Sequence, residues 1–205
     1  MNIKRHLANR DNYGNSRSSK DIKYIVIHYT ANDGDTDENN GIYFRNNVIE
    51  ASAHYFVDSD SITQSVPDSY IAWHCGANQY RHSECRNANS IGIEICDDIK
   101  NGVIYPSSRT IANVIELVEW LMKEYSIPKE NVIRHYDVTG KLCPAYWCGT
   151  AEKDAKWKTE FLSRVCASKV LYRVQVGAYS NESNAKIMMK KLNDAGFDAI
   201  IKVDK

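Results

Sequence analysis

Short apolar runs and amphipathic stretches alternate along the first 166 residues. Tyr24-Ile25-Val26-Ile27 is a β-branched run that reads as a buried strand ending in His28, followed by the turn-rich segment Thr30 to Asp35. Asn39 to Ile49 places Tyr43, Phe44 and Val48 on one face of a short predicted helix. Ala53 to Val57 alternates like a strand, Asp58 to Ser61 turns, and Ile62 to Val66 returns as its hairpin partner. Residues 74–90 are polar and rich in Asn, Arg and Ser, the pattern of a long surface loop. Ile91-Gly92-Ile93-Glu94-Ile95 is a second buried strand with one acid inside it. Ile111, Val114, Ile115, Val118, Leu121, Met122 and Tyr125 follow helical spacing over 109–125, with Ser107 or Ser108 as cap and Pro128 beyond the end. Val132-Ile133 is a short strand running into Arg134-His135, and a last helix covers Ala151 to Cys166.

From Val170 the pattern restarts. Leu171 to Tyr179 reads as a strand, and Asn181 to Ala195 as a helix with Ala185, Met188, Leu192 and Ala195 on one face. Gly196 stops that helix, and Phe197 to Val203 reads as a strand. Such a small β-α-β unit buries one thin face and is marginal alone. The expected division is a polar lead-in (1–21), a main domain (22–166) and a small terminal segment (167–205).

The chain has 205 residues, 43% hydrophobic and 25% charged, the composition of a soluble globular protein. No apolar run approaches the ~20 residues that cross a bilayer, so no membrane insertion is expected. Met1 to Lys20 lacks the apolar middle of a secretory signal, which implies synthesis in the cytoplasm. The net charge is zero, which argues against a general nucleic-acid binder. Six cysteines without a CxxC pair read as free thiols or metal ligands in that compartment. A Cys75–Cys85 disulfide stays open for a protein released from the cell.

His28, Glu94 and His135 interrupt apolar runs, and buried strands do not carry ionisable residues cheaply. Cys143 follows His135 by eight residues. Two histidines and a cysteine make a three-ligand set suited to catalytic Zn2+, with a fourth position left for water. Glu94 is the candidate general base. Lys141, two residues before Cys143, points the same way in an extended segment and is placed to stabilise an oxyanion. Plainer readings exist for each. A strand-end histidine also serves as a bonded core residue, a buried cysteine as a small hydrophobe. Glu94 also suits an ion pair with Arg45 or Arg134, and Lys141 a solvated loop.

Five blocks occur in order: Ile25-Val26-Ile27-His28-Tyr29-Thr30, Ser52-Ala53-His54-Tyr55-Phe56, Ala72-Trp73-His74, Ser90-Ile91-Gly92-Ile93-Glu94, and Arg134-His135-Tyr136-Asp137 with Lys141-Leu142-Cys143-Pro144. Together they resemble the type 2 N-acetylmuramoyl-L-alanine amidases, a family that includes phage endolysins and is similar to peptidoglycan recognition proteins. The resemblance covers about residues 22–166. It implies an α/β fold, a mixed central β-sheet flanked by helices, with zinc in a groove. It also implies hydrolysis of the amide between N-acetylmuramic acid and L-alanine of peptidoglycan. Carried over residue by residue, the zinc ligands are His28, His135 and Cys143, the catalytic acid is Glu94, and Lys141 stabilises the tetrahedral intermediate. His54 falls where other branches place a tyrosine, and suits either groove lining or packing. His74 suits substrate contact or a surface position, and Trp73 a sugar stack or the core. Residues 170–205 resemble the first half of a SPOR module, which implies binding to glycan strands or, through open strand edges, self-association. The implied setting is the bacterial wall, reached after release from the cell, in the manner of an endolysin. The alternatives are a non-catalytic peptidoglycan binder on the same fold and a zinc peptidase acting on the stem peptide.

Overall fold

A computed structural model describes residues 3–99, 101–167, 175–197 and 199–203, and the chain divides into two units, Met1–Ala167 and Ser168–Lys205. In chain order the first unit contains β1 (Ile3–Arg5), β2 (Tyr13–Ser16), β3 (Tyr24–Tyr29), α1 (Asp37–Asn46), β4 (Tyr55–Val57), β5 (Ile62–Gln64), β6 (Tyr70–Ala72), β7 (Ser90–Ile95), α2 (Ser108–Tyr125), β8 (Val132–Arg134), α3 (His135–Thr139) and α4 (Ala151–Lys156). A wide helical turn, Trp157–Leu162, continues α4. Six strands form one sheet in the order β1-β5-β4-β7-β3-β8, and β2 pairs with β6 separately. Only the β4–β5 pairing in the large sheet is antiparallel. This is the mixed α/β sheet that the sequence implied.

Strand periodicity sorts the side chains onto two faces. Ile25 and Ile27 of β3 and Ile91, Ile93 and Ile95 of β7 pack with Ile111, Val114, Leu117, Val118 and Leu121 of α2. Tyr24 and Val26 point the other way, into a smaller cluster with Cys75, Cys85 and Val138. Both faces of β3 are therefore covered, which is why it reads as an unbroken apolar run. His28 shares the second face with Val26. The stripe on α2 is core, as its spacing indicates; the Ser107 hydroxyl accepts from Thr110 N–H, and Ser126 closes the helix at φ 54°.

Three local expectations change. The segment before residue 22 is not a lead-in to the fold: β1 pairs with β5 and β2 with β6. Its short edge strands are too polar to show as apolar runs. Helix α1 starts at Asp37 rather than Asn39, and of the expected face only Phe44 turns inward, against Phe56. Tyr43 and Val48 are exposed, while Asp37 is buried and accepts from the Ser61 and Thr63 hydroxyls. Gly41 sets this orientation, since a Cβ there would lie 2.6 Å from Thr63 Cγ2. The hairpin partner β5 ends at Gln64 rather than Val66.

In the second unit, α5 (Glu182–Asp194) is capped by the Asn181 side chain, which accepts from Ser183 N–H. Ala185, Met188 and Leu192 are half-buried, whereas Ala195 of the expected face is exposed. Of the expected strand at 171–179, Leu171 to Val174 lie outside the described residues, and Gln175 to Tyr179 are not strand. Among the described residues of 197–203 there is no strand either, with Asp198 outside the description.

Candidate functional site

Parallel pairing of β3 with β7 sets His28 level with Glu94. Pairing of β3 with β8 sets Ile27 level with Arg134, so His135 follows at the height of His28. Three neighbouring strands thus deliver three ionisable side chains at their carboxyl ends, the edge where open α/β sheets form ligand crevices. Arg134 fixes the next turn: its guanidinium bonds Asp137 at 2.7 Å and Asp154 at 2.6 Å, joining β8, α3 and α4. Gly140, at φ 87°, ends α3 and sends the chain back. Tyr136 N–H then donates to the Cys143 carbonyl at 3.0 Å, and Cys143 Sγ stands 3.8 Å from His28 Nδ1.

The donor atoms of His28, His135 and Cys143 lie within 4.8 Å of one another, and all three residues are buried. His135 Nδ1 has no hydrogen-bond partner in the protein. His28 Nε2 is engaged with His74 Nδ1 at 3.0 Å, which leaves His28 Nδ1 facing Cys143. Burial holds His28 well below the usual histidine range; burial and then Lys141 hold His135 down to about 4. Both rings are therefore neutral near pH 7, the form that ligates a metal. Burial and the nearby Glu94 push the Cys143 thiol up, so a thiolate there calls for a cation. Two unspent imidazole nitrogens and a thiol needing a positive partner fit Zn2+.

Glu94 Oε1 is 4.0 Å from His28 Nδ1, and its Oε2 is buried without a partner. Burial raises this carboxyl to about 7, against the pull of Lys141. The alternative ion pair with Arg134 does not form, because that guanidinium is spent on Asp137 and Asp154. Lys141 reaches the site by a different route from the one expected. The segment is not extended: Cys143 N–H bonds the Lys141 carbonyl at 2.7 Å in a tight turn. Lys141 nevertheless lines an open groove of about 460 Å³ together with Glu50, Trp73, His74, Asn87 and His135.

The three residues expected at the substrate separate. Trp73 is half-buried in the groove wall, its backbone N–H held by the Ser52 hydroxyl at 3.0 Å. His74 edges the groove, but both its ring nitrogens bond inside the protein, to His28 and to Ser90 Oγ. His54 does not reach the groove. It is 0% exposed; its Nδ1 accepts from Gly92 N–H, and its Nε2 lies 3.1 Å from the Tyr70 carbonyl. Its groove-lining role is therefore corrected to packing. Cys75 and Cys85 are buried free thiols, as are Cys96, Cys143 and Cys148, while Cys166 is exposed and free. No pattern along the chain singles out Glu50 or Asn87, and Ser90 stands out only as the first residue of a motif block. Asn87 Oδ1 accepts from both His74 and Cys75 N–H and so shapes the loop, yet one asparagine in an Asn-rich stretch does not stand out.

Comparison with known proteins matches residues 18–146 to the N-acetylmuramoyl-L-alanine amidase family model and residues 168–205 to the SPOR domain. The amidase CwlL of Bacillus licheniformis is 32% identical over 190 residues, covering 88% of this chain and 52% of its own. The solved structure of PlyL superposes with a TM-score of 0.66 at 30% identity, covering 83% of this chain and 100% of that one. A mutant endolysin from Bacillus subtilis gives 0.62 at 30% identity, covering 78% and 96%. The chain spans about half the length of the curated relatives it matches.

Proposed function

This chain belongs to the N-acetylmuramoyl-L-alanine amidase family, and from that membership we propose that it hydrolyses the amide joining N-acetylmuramic acid to L-alanine in bacterial peptidoglycan, using zinc held by His28, His135 and Cys143. The observation that carries this reading is the convergence of three buried donor side chains at the carboxyl edge of the sheet, with an unpartnered carboxylate oxygen of Glu94 beside them. Zinc bound there supplies Lewis acidity, polarising a carbonyl and lowering the pKa of water. Glu94, with one buried carboxylate oxygen unpartnered, takes the proton of the attacking water and passes it to the leaving amine. The Lys141 ammonium faces the same groove and offsets negative charge developing on the carbonyl oxygen. Trp73 and Asn87 form groove wall against which the substrate lies.

A binding-only role leaves Glu94 and Cys143 without a task, since a binder needs neither a base nor a thiolate. The bacteriolytic, endolysin-like role rests on the likeness to the named endolysin. Among the described residues, no helix is long and apolar enough to cross a membrane. The SPOR-type segment supports targeting to glycan strands. Pairing of two such segments is the competing use, and a monomeric mass by light scattering removes it.

The direct test is digestion of purified peptidoglycan with and without a chelator, read by mass spectrometry. Stem peptides beginning with alanine are expected, and only when zinc is present. A new internal N-terminus would mean a peptidase. Intact muropeptides from protein that still sediments with the wall would mean a binder.

A further inference from the structure

His28 carries a ligand nitrogen only if its Nδ1 is free of a proton, and the structure contains a chain of contacts that decides this. Its Nε2 stands 3.0 Å from His74 Nδ1. His74 Nε2 stands 3.1 Å from Ser90 Oγ, and Ser90 Oγ stands 2.7 Å from the Arg86 carbonyl. A carbonyl oxygen only accepts, so the Ser90 hydroxyl donates to it. That hydroxyl has one proton, so it accepts from His74 Nε2–H. A neutral His74 then has a bare Nδ1, which accepts from His28 Nε2–H. His28 Nδ1 is left unprotonated, 3.8 Å from Cys143 Sγ.

The surroundings hold this chain in place. Ser90 is fully buried at the start of β7. Asn87 Oδ1 fixes the backbone of His74. Gly92, on the same strand face as Ser90, leaves room for the ring: a Cβ there would lie 2.5 Å from His74 Cγ. The His28 and His74 rings meet edge to face at 89°.

We propose that the Arg86 carbonyl, Ser90 and His74 form a one-way hydrogen-bond relay that fixes the tautomer of His28 and aims its bare Nδ1 at the metal position. His74 is then a positioning residue, not a substrate contact, and Ser90 acts through it. Outer partners of this kind orient a ligating imidazole and raise its basicity. The inference rests on the reading of His28 as a zinc ligand.

The test uses the full chain, labelled with nitrogen-15, with imidazole proton–nitrogen correlations recorded at about pH 8, where an ordinary histidine is neutral. In the metal-free protein, His28 and His74 should each carry the proton on Nε2. Zinc affinity, read by chelator competition, should fall roughly 10- to 100-fold in Ser90→Ala and in His74→Leu. His74→Asn, which offers an amide oxygen near the Nδ1 position, should recover most of that loss, whereas a purely packing role would not distinguish Asn from Leu in this way. A proton on His28 Nδ1 in the metal-free protein overturns the relay, as does wild-type zinc affinity in both Ser90→Ala and His74→Leu. A chain with Nε2–H on His28 that binds no zinc overturns the metal reading while supporting the relay.

Discussion

Glu94 shows what a single position costs and provides. Its carboxyl is raised from 4.5 to about 7 by burial, so the metal-free fold carries a penalty for its charge. Below about pH 4.5 the group is protonated whether folded or not, and the penalty is absent. Between the two values the folded state holds a proton that the unfolded state releases, so stability falls as pH rises; above about 7 the whole penalty is present. Glu94→Gln should therefore stabilise the metal-free protein by about 1–3 kcal/mol at alkaline pH and by almost nothing near pH 4.5, as urea melts would show. The same variant should retain zinc and lose activity by roughly 100-fold or more, measured on a soluble muropeptide. A bound cation favours the carboxylate, so the acid limb of the activity profile should fall below pH 7. Cys143→Ser should weaken zinc retention on dialysis, because an alcohol is a poorer zinc ligand than a thiolate. His28, Glu94 and His135 as intrusions in apolar runs, and Cys143 as a thiol eight residues after His135, were legible in the sequence. The roles of His74 and Ser90 were not, because a hydrogen-bond direction depends on atoms that only folding brings within 3 Å or so of one another.

At the scale of elements, legibility follows periodicity. The strands β3 and β7 and the helix α2 bury regular patterns, and each was readable from spacing alone. Leu117→Ala, in the fully buried face of α2, should cost about 2–5 kcal/mol in chemical denaturation without touching the site. Strands β1 and β2 were hidden because short edge strands bury too little to force an apolar alternation. Helix α1 was misaligned because its inward face joins the buried Asp37 and Gly41 to Phe44 alone, leaving Tyr43 exposed, so the apolar spacing marks only part of that face. Gly92→Ala tests how tightly β7 and the 74–90 loop are matched. The added methyl has no room beside His74, so zinc affinity should drop by roughly tenfold or more in chelator competition as the ring is displaced.

The whole chain is two units with different amounts of core. The first carries the large buried clusters, while α5 of the second has no fully buried residue. A chain ending at Ala167 should turn over a soluble muropeptide within roughly twofold of the full chain, since a unit with its own core folds alone. Its retention on insoluble wall should fall several-fold if residues 168–205 supply a second attachment. A pelleting assay reads that difference, and equal retention would remove the targeting role. What the sequence determined by itself was the ordered set of motif blocks, the strands and helices with regular apolar spacing, and the residue types able to hold zinc. Those follow from local chemistry: periodicity and side-chain identity are written along the chain. The tertiary structure alone decided which atoms of those residues face one another, that His54 packs while His74 backs His28, and that strands within residues 3–21 belong to the fold. These depend on strand register and on space between elements distant in sequence, such as the gap that Gly92 leaves for His74, and no local pattern encodes a gap.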